Sequence, residues 1–331
     1  MTDETGHPLR HGLRGHSISL SSSVEIVRGL CNLRPSHHGC VATIGNFDGV
    51  HLGHQQVLQH LAEQAKIQQI PMLVITFEPH PQEYFFEDRA LPRLTRFREK
   101  IEALRQHSVD RVLCLKFNTE MADMPAGDFI SKILVQGIGV RYLVVGDDFR
   151  FGFQRSGNFS MLQEAGKKHG FPVVNLSTFF VDQERVSSTR IRNALFYGDL
   201  KTAKTLLGRP YRMAGRVAHG DKRGRSIGFP TANLFLHRRS TPLTGVYAVE
   251  MFGLTGEPWP GVANLGFRPT AGGGQALLEI HLLHFSGNLY GRHVEVDFLR
   301  KIREEKRFSS FEELRQQISQ DVLESDPTRA I

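Results

Sequence analysis

The chain has 331 residues, 40% of them hydrophobic and 23% charged, a composition typical of a folded protein with room for two domains of about 150 residues. Its 41 Lys and Arg against 34 Asp and Glu give a net charge of +7, which favours anionic partners such as phosphate-bearing small molecules or nucleic acids. The longest apolar run, residues 72–77, is too short to cross a membrane, and the N-terminus lacks the apolar core of a signal peptide. We therefore expect a cytoplasmic protein. The three cysteines form no C-x-x-C pair and predict free buried thiols, with neither a disulfide framework nor a zinc site.

Strand and helix patterns alternate through the first part of the chain. Residues 1–23 are polar and without periodicity, and we predict a flexible N-terminal segment there. Short buried-strand runs follow at residues 41–45, 71–77, 109–115, 141–146 and 171–176. Between them, apolar residues at helical spacing form three stripes: Leu58, Leu61, Ala62 and Ala65; Phe97, Ile101 and Leu104; Phe129, Ile130, Ile133 and Leu134. This alternation predicts a parallel sheet covered by helices on both faces, with ligands beyond the carboxyl ends of the strands.

The pattern changes near residue 206. Glycines become frequent, and short alternating runs at 245–251, 277–283 and 293–299 predict an antiparallel barrel or sandwich. A helix is predicted to close the chain from about Ser309, where Ser309 and Glu312 have capping-box spacing. We therefore predict one domain over residues 24–205 and a second, unlike domain over 206–331.

The clearest functional motif follows the strand at residues 41–45. It reads GNFDGVHLGH over residues 45–54 and combines a glycine turn with the start of a helix. Gly53 leaves the helix N-terminus open, and the free N–H groups there attract anions. His51 and His54, three residues apart, bring two imidazoles to one helix face. The motif predicts a phosphate-handling site, although it matches neither the Walker nor the G-x-G-x-x-G pattern.

This motif resembles the H-x-G-H signature of the nucleotidylyltransferase superfamily, in the form carried by bacterial FAD synthetases. Three later segments agree with it: TFEPHP at residues 76–81, VGDDFRFG at 145–152 and SSTRIR at 187–192. The resemblance implies a Rossmann-like, doubly wound parallel sheet in which the phosphate of FMN attacks the α-phosphorus of ATP and pyrophosphate leaves. Taken alone, SSTRIR could equally be a helix cap.

The resemblance also implies roles for particular residues. His51 and His54 would be catalytic and would stabilise the charge developing on the α-phosphate and the leaving group. The implied ATP-binding residues are Gly45, Phe47, Asp48, Gly53, Ser187, Ser188, Thr189 and Arg192. The implied flavin-binding residues are Phe77, Pro79, Asp148, Phe149 and Arg155. His80, between two prolines, receives no role.

A second glycine-rich stretch lies in the downstream domain, at residues 215–233. Its glycines are interleaved with basic residues, among them Lys222 and Arg225, and form a cationic loop suited to phosphates. Thr231 and Asn233 place two neutral oxygens on one side of an extended segment, and Mg²⁺ prefers oxygen ligands. The same loop could bind RNA, but the downstream domain lacks the exposed, interleaved aromatic residues on which single-strand binders stack bases.

This stretch resembles the riboflavin kinase module, whose GFPTAN segment occupies residues 228–233. The resemblance implies a small antiparallel β-barrel with a closing helix. It implies that Glu279 is the general base that takes the proton of the ribityl 5′-hydroxyl, and that Thr231 and Asn233 hold Mg²⁺. The implied ATP-binding residues of this module are Gly220, Lys222, Arg225, Gly228 and Pro230. On strand alternation alone, Glu279 could equally be an ordinary solvent-facing side chain.

Together the two resemblances imply a bifunctional enzyme of flavin cofactor synthesis. The second domain would phosphorylate riboflavin to FMN, and the first would adenylylate FMN to FAD, with ATP as co-substrate and Mg²⁺ as cofactor. The expected partners are small molecules (riboflavin, FMN, FAD and ATP), with no nucleic acid and no membrane. Two alternatives compete: a kinase joined to a degenerate nucleotide-binding domain, and a basic nucleic-acid-binding module. The sequence leaves the oligomeric state open.

Overall fold

The computed structural model describes residues 23–220, 228–238, 240–254, 256–268 and 275–326, so the predicted flexible segment lies almost wholly outside the described residues. The strands are β1 (Glu25–Arg28), β2 (Cys40–Ile44), β3 (Met72–Glu78), β4 (Arg111–Lys116), β5 (Val140–Gly146), β6 (Val173–Leu176), β7 (Phe180–Val181), β8 (Glu184–Arg185), β9 (Tyr211–Ala218), β10 (Ala232–Phe235), β11 (Gly245–Phe252), β12 (Trp259–Arg268), β13 (Gln275–Leu282) and β14 (His293–Arg303). The helices are α1 (Leu52–Gln68), α2 (Pro81–Phe86), α3 (Phe97–Gln106), α4 (Thr119–Ala122), α5 (Ala126–Asp128), α6 (Phe159–His169), α7 (Ser188–Phe196), α8 (Leu200–Leu207) and α9 (Phe311–Ser325), and a π-helix, Phe129–Val135, continues α5.

The first unit is a six-stranded parallel sheet in the order β1-β4-β3-β2-β5-β6. Every residue of the central strand β2 is buried, because helices cover both faces of the sheet. The chain passes from β2 to β3 on one side and later places β5 on the other side of β2. The order of the strands therefore reverses at β2, and the segments that follow β2 and β5 meet at the carboxyl edge of the sheet. The predicted doubly wound sheet is confirmed.

The second unit is a closed antiparallel barrel in the order β10-β13-β12-β11-β14-β9, with the ring completed by pairing of β9 with β10. Its interior is filled by fully buried apolar side chains such as Leu234, Tyr247 and Leu278. Helix α9 packs on the outside of the barrel against β11, β12 and β14. The prediction of a barrel with a closing helix is confirmed over the alternative of a sandwich.

Two details of the prediction were wrong. Helix α9 is capped by Ser310, whose Oγ accepts a hydrogen bond from the Glu313 N–H (3.2 Å), one residue later than the predicted pair of Ser309 and Glu312. Both serines are followed by a glutamate three residues later, so spacing alone could not separate them. Among the cysteines, Cys31 is exposed, whereas the other two are buried, and all three are free.

Helices α7 and α8 connect the two units. Their buried residues Ile191, Leu195 and Leu206 belong to one apolar cluster with the interior of the barrel, which Leu94 of the first unit also joins. The predicted division between residues 205 and 206 falls inside α8. The boundary between the two domains therefore stays a prediction, since these helices pack with both units.

Candidate active sites

A cavity of about 840 Å³ opens where the segments after β2 and β5 meet. It brings together nearly all residues that the first motif and its companion segments predicted. Those that line it are Gly45, Phe47, Asp48, His51, Gly53, His54, Phe77, Asp148, Phe149, Arg155, Ser187, Ser188, Thr189 and Arg192. Pro79 is missing from the lining that the described residues form, and Pro81 is present.

The two motif histidines form a stacked pair in the lining of this cavity. The ring centroids of His51 and His54 lie 3.7 Å apart, with the planes 16° from parallel. His51 is only 7% exposed and is the N-cap residue of α1, where its Nδ1 accepts a hydrogen bond from the His54 N–H (3.4 Å). Because Nδ1 is an acceptor, the neutral ring carries its proton on Nε2. Among the described residues, the buried Nδ1 of His54 has no hydrogen-bond partner.

Burial lowers the pKa of both histidines. The pKa of His51 falls to about 4, although the nearby Asp48 carboxylate acts in the opposite direction. The pKa of His54 falls well below its ordinary value, because the charges of His51 and Lys100 add to the effect of burial. Both imidazoles are therefore neutral at pH 7 and can each donate one ring N–H. An anion placed against them would raise both pKa values.

Asp48 is the most heavily bonded group of the site. Its carboxylate accepts hydrogen bonds from the backbone N–H groups of Leu94 (3.0 Å) and Thr95 (2.9 Å), and it forms an ion pair with Arg192 (2.5 Å). Burial would raise the pKa of Asp48, but Arg192 and the two N–H groups outweigh it and hold this pKa below its ordinary value. Asp48 is thus ionised at pH 7. All these partners belong to the protein, so the carboxylate is well placed to hold the turn in shape.

The SSTRIR segment combines both meanings that its sequence allowed. Ser187 caps α7, since its Oγ accepts a hydrogen bond from the Arg190 N–H (3.2 Å). Ser188 Oγ donates to the Asp48 carbonyl (2.9 Å), and Arg192 reaches back to donate from Nε to the Pro92 carbonyl (2.6 Å). The segment is therefore a helix cap that also lines the cavity beside the histidines.

Aromatic side chains line another part of the cavity. Phe77 meets Phe117 edge to face, with centroids 5.8 Å apart, and Phe149 stacks on Phe151 at 5.6 Å. Asp148 pairs with Arg185, a cavity residue that the sequence did not single out. Such apolar walls suit a flat ring system, as expected for the predicted flavin residues Phe77 and Phe149.

Two further buried titratable side chains lie in or near this site. His80 lines the cavity and is 7% exposed, and burial lowers its pKa to about 4 against the opposing charge of Asp48. Lys100 on α3 is 2% exposed, and its Nζ donates to Thr76 Oγ1 (3.4 Å). The position of His80 directly after β3 was a signal that could have found it. Lys100 could not have been found, because in the sequence it is only one charged residue within an amphipathic helix.

Replacing His80 by asparagine is expected to reduce the loss of thermal stability on acidification. His80 Nδ1 caps α2 by accepting from the Gln82 N–H (3.1 Å), a role that asparagine also fills. Because the folded pKa is about 4, the unfolded chain binds more protons between about pH 6.5 and pH 4, and stability falls as the pH falls through this window. One such histidine accounts for up to about 1.4 kcal/mol per pH unit. The measurement is Tm of both proteins at about pH 7 and pH 5, and equal drops would contradict the prediction.

The second predicted site lies on the barrel. Asn233 of β10 is 4% exposed, and Gly220 passes directly over its amide, since a Cβ at Gly220 would lie 2.5 Å from Asn233 Cγ. Asn233 is paired in register with Glu279 of β13, which in turn pairs with Asn264 of β12. Directly paired residues point to the same face of a sheet, so these three side chains share the face opposite the apolar interior.

The remaining predicted residues of this site are placed only in part. Gly228 has a φ of 90°, a backbone conformation that favours glycine. The Pro230 carbonyl lies 3.0 Å from His281 Nδ1, and Thr231 immediately precedes β10. Lys222 and Arg225 lie outside the described residues, so their predicted contacts with ATP stay predictions.

The chemistry of this donor set fits Mg²⁺. The Oδ1 atom of Asn233 is buried and accepts no hydrogen bond within the described part of the chain, so it is an acceptor that a hard cation could use. Thr231, two residues earlier, adds a hydroxyl oxygen. The described ranges contain no group of three His, Cys, Asp or Glu side chains that could hold a metal. Mg²⁺ suits such a sparse site because it takes few protein oxygens and completes its shell with phosphate and water.

Models of two known protein families match the chain, one in each unit. A model of the FAD synthetase family matches residues 33–190, and a model of the riboflavin kinase family matches residues 207–327. A crystal structure named as a macrolide-efflux protein from Streptococcus pneumoniae superposes with a TM-score of 0.76 at 28% identity, covering 91% of this chain and 97% of that one. In the part of the chain that the structure describes, no helix has the length and apolar content needed to cross a membrane.

Two relatives resemble the chain over most of its length. The bifunctional riboflavin kinase/FMN adenylyltransferase of Pseudomonas fluorescens is 53% identical over 300 residues, which cover 90% of this chain and 96% of the relative. The protein of the same name from Escherichia coli (strain K12) is 49% identical over 301 residues, which cover 91% and 96%. The chain therefore belongs to the bifunctional riboflavin kinase/FMN adenylyltransferase family: it phosphorylates riboflavin to FMN and adenylylates FMN to FAD, with ATP as the second substrate of both reactions.

Proposed function

We propose that the two reactions are divided between the two units, with adenylyl transfer in the histidine cavity and phosphorylation at the Asn233–Glu279 face of the barrel. The single observation that carries this division is the stacked pair of His51 and His54 in a cavity with aromatic walls. A site with neutral N–H donors and a flat apolar wall accommodates both a triphosphate and a flavin ring. The completeness of this cavity speaks against a degenerate first domain.

In the first site, catalysis consists of positioning and charge neutralisation. The FMN phosphate attacks the α-phosphorus of ATP, and the bond to the pyrophosphate oxygen breaks, so no covalent enzyme intermediate is needed. His51 and His54 face the charge that develops on the transferred phosphorus and on the leaving group. The negative charge of the bound triphosphate raises their lowered pKa values and so favours the protonated imidazoles, which donate stronger hydrogen bonds than the neutral rings. Phe77 and Phe149 hold the flavin ring.

In the second site, Glu279 takes the proton from the ribityl 5′-hydroxyl as that oxygen attacks the γ-phosphorus of ATP. Its pairing with Asn233 across β10 and β13 supports this role, because it places the carboxylate beside the side chain best suited to a metal. Thr231 and Asn233 would hold Mg²⁺, which supplies positive charge to the phosphates when it is bound. Gly220 lies against the Asn233 side chain on this face.

The chain is proposed to act in the cytoplasm, on small-molecule partners alone. Its cysteines are free, and Cys40 and Cys114 are buried as thiols, which suits a reducing compartment. The positive charge of the chain is accounted for by its anionic substrates and needs no nucleic acid.

Replacing Gly220 by alanine tests the division of labour. The new Cβ would collide with the Asn233 amide and displace it. A misplacement of about 1 Å can cost about 100-fold in rate, so we expect a loss of that order in FMN formation and an unchanged rate of FAD formation from supplied FMN. The measurement follows γ-labelled ATP into FMN and α-labelled ATP into FAD by chromatography.

The matched control for this experiment is Gly256→Ala, in the same barrel. A Cβ at Gly256 has no described atom within 4 Å, so both reactions should continue at the wild-type rate. Equal losses of both reactions in Gly220→Ala would contradict the division between the two units.

A further inference from the structure

One short segment of the first unit is bound on two sides. Residues 92–96, here called the clamp segment, connect the end of the loop after α2 to the start of α3. On one side, the N–H groups of Leu94 and Thr95 donate to the Asp48 carboxylate (3.0 and 2.9 Å). Thr95 Oγ1 also accepts a hydrogen bond from the Gly49 N–H (3.0 Å). This side of the clamp segment holds the turn that carries His51.

The other side of the clamp segment is held by the barrel. The Tyr211 hydroxyl of β9 donates to the Leu94 carbonyl (2.9 Å). Arg238, three residues beyond the end of β10, donates from Nη1 to the Arg93 carbonyl (2.8 Å). The same segment therefore joins the Asp48 carboxylate to two side chains of the second unit.

Arg238 also forms an ion pair with Glu99 of α3, which belongs to the first unit. Its Nη2 donates to Glu99 Oε2 (2.6 Å), and the two side chains are only 4% and 9% exposed. Glu99 accepts two further hydrogen bonds, from the N–H of Arg96 (2.7 Å) and from the N–H of Ala214 in the barrel strand β9 (3.2 Å). A buried ion pair is expensive to break, because the surviving partner keeps its charge without solvent. The clamp segment is therefore tied to the barrel by contacts that cannot relax into water.

Burial continues from this ion pair to the cavity. Leu94, Thr95, Asp48 and Tyr211 are each exposed by 4% or less. Asp48 in turn pairs with Arg192, which also donates to the Pro92 carbonyl of the clamp segment. A displacement of the clamp segment would thus move Asp48 and Arg192 together, beside the stacked histidines.

We propose that Arg238, although it belongs to the barrel, is a positioning residue for adenylyl transfer in the histidine cavity. It acts through the clamp segment on Asp48 and Arg192 and touches no substrate. This inference rests on the proposed assignment of adenylyl transfer to that cavity. It predicts that a barrel side chain matters for the reaction of the other unit and not for the reaction of its own.

The test is the variant Arg238→Met, assayed as the full chain in both reactions. The loss of the hydrogen bonds that Arg238 donates to the Arg93 carbonyl and to Glu99 should displace the clamp segment. We expect kcat for FAD formation from supplied FMN to fall by about 10-fold to 100-fold. KM for ATP in that reaction should change less than kcat, because the reacting groups are misaligned and not removed. FMN formation should keep its wild-type kcat. A merely structural role would reduce both reactions together, or the barrel's own reaction first, and either result would overturn the inference.

Four companion proteins complete the test. Arg238→Lys keeps the charge opposite Glu99 but not both bonds, and it should recover part of the lost kcat; it also replaces Arg238→Met if that variant does not fold. Glu99→Gln should give the same selective loss of kcat for FAD formation. The double variant with Arg238→Met should lose little more than either single variant, because both substitutions remove the same ion pair. Arg300→Met, an exposed arginine on β14, is the matched control and should leave both reactions unchanged.

The result also separates the two levels of inference. If replacing His51 and His54 leaves FAD formation intact, the proposed site itself is wrong. A second result would overturn only the positioning role of Arg238: replacing the two histidines abolishes FAD formation, whereas Arg238→Met and Glu99→Gln convert supplied FMN to FAD at the wild-type rate. The proposed site would then be retained.

Discussion

Replacing His51 and His54 together by alanine is expected to abolish FAD formation while FMN still accumulates. The two rings stack at 3.7 Å in the lining of the cavity, and their lowered pKa values make both of them neutral N–H donors at pH 7. Removing one preorganised donor from such a site costs about 100-fold to 1000-fold in rate, so the double variant should lose about 1000-fold or more. The barrel contains neither histidine, and its reaction should keep the wild-type rate. The measurement is chromatography of the flavins formed from riboflavin and ATP.

The controls for this experiment separate chemistry from folding. His51 also caps α1, and the loss of a cap costs about 1 kcal/mol of stability, which Tm would report. His60→Ala changes a histidine on the same helix, one that bonds the Tyr142 hydroxyl (3.0 Å) outside the cavity lining, and FAD formation should survive it. Matched losses of FMN and FAD in the double variant would show that the cavity is not specific to adenylyl transfer.

The parts of the fold that depend on local patterns could be predicted from the sequence. Strands β2 to β6 carry their own apolar runs, and the motifs directly after β2 and β5 indicated that a ligand would lie at their carboxyl ends. The order of the strands, with its reversal at β2, is known only from the structure. The edge strand β1 could not be predicted, because three of its four residues are exposed and its only buried apolar residue is Val27. The π-helix Phe129–Val135 was predicted only as a helix, since its apolar stripe does not reveal how its hydrogen bonds are spaced.

The residues of the site could be predicted where they lie in one continuous motif. What could not be predicted is how distant motifs bond to each other. Asp48 was expected at the nucleotide, but its carboxylate bonds Leu94, Thr95 and Arg192, which lie 46 to 144 residues further along the chain. No local spacing encodes such partners, because they exist only once the sheet and α7 have packed. Arg238 is likewise visible in the sequence only as one basic residue among many.

Replacing Glu279 by glutamine is expected to give the opposite pattern to the histidine variants. Glutamine keeps the size and hydrogen-bonding capacity of the side chain but cannot accept the proton of the ribityl hydroxyl at neutral pH. Loss of a general base costs about 100-fold to 10,000-fold, and FMN formation should fall within that range. FAD formation from supplied FMN should not change, because the histidine cavity contains no residue of β13.

The neighbourhood of Glu279 explains why this variant should act on chemistry and not on folding. Its sequence neighbours Leu278 and Ile280 are fully buried in the interior of the barrel, whereas Glu279 lies on the opposite face, in register with Asn233. Glutamine there disturbs no apolar packing, so Tm should stay close to that of the wild type. Glu250→Gln, a half-buried glutamate of β11 in the same barrel, is the matched control and should phosphorylate riboflavin normally. A Glu279→Gln protein that still forms FMN at the wild-type rate would show that another group takes the proton. The pairing of Glu279 with Asn233 would then have only a structural role in the barrel.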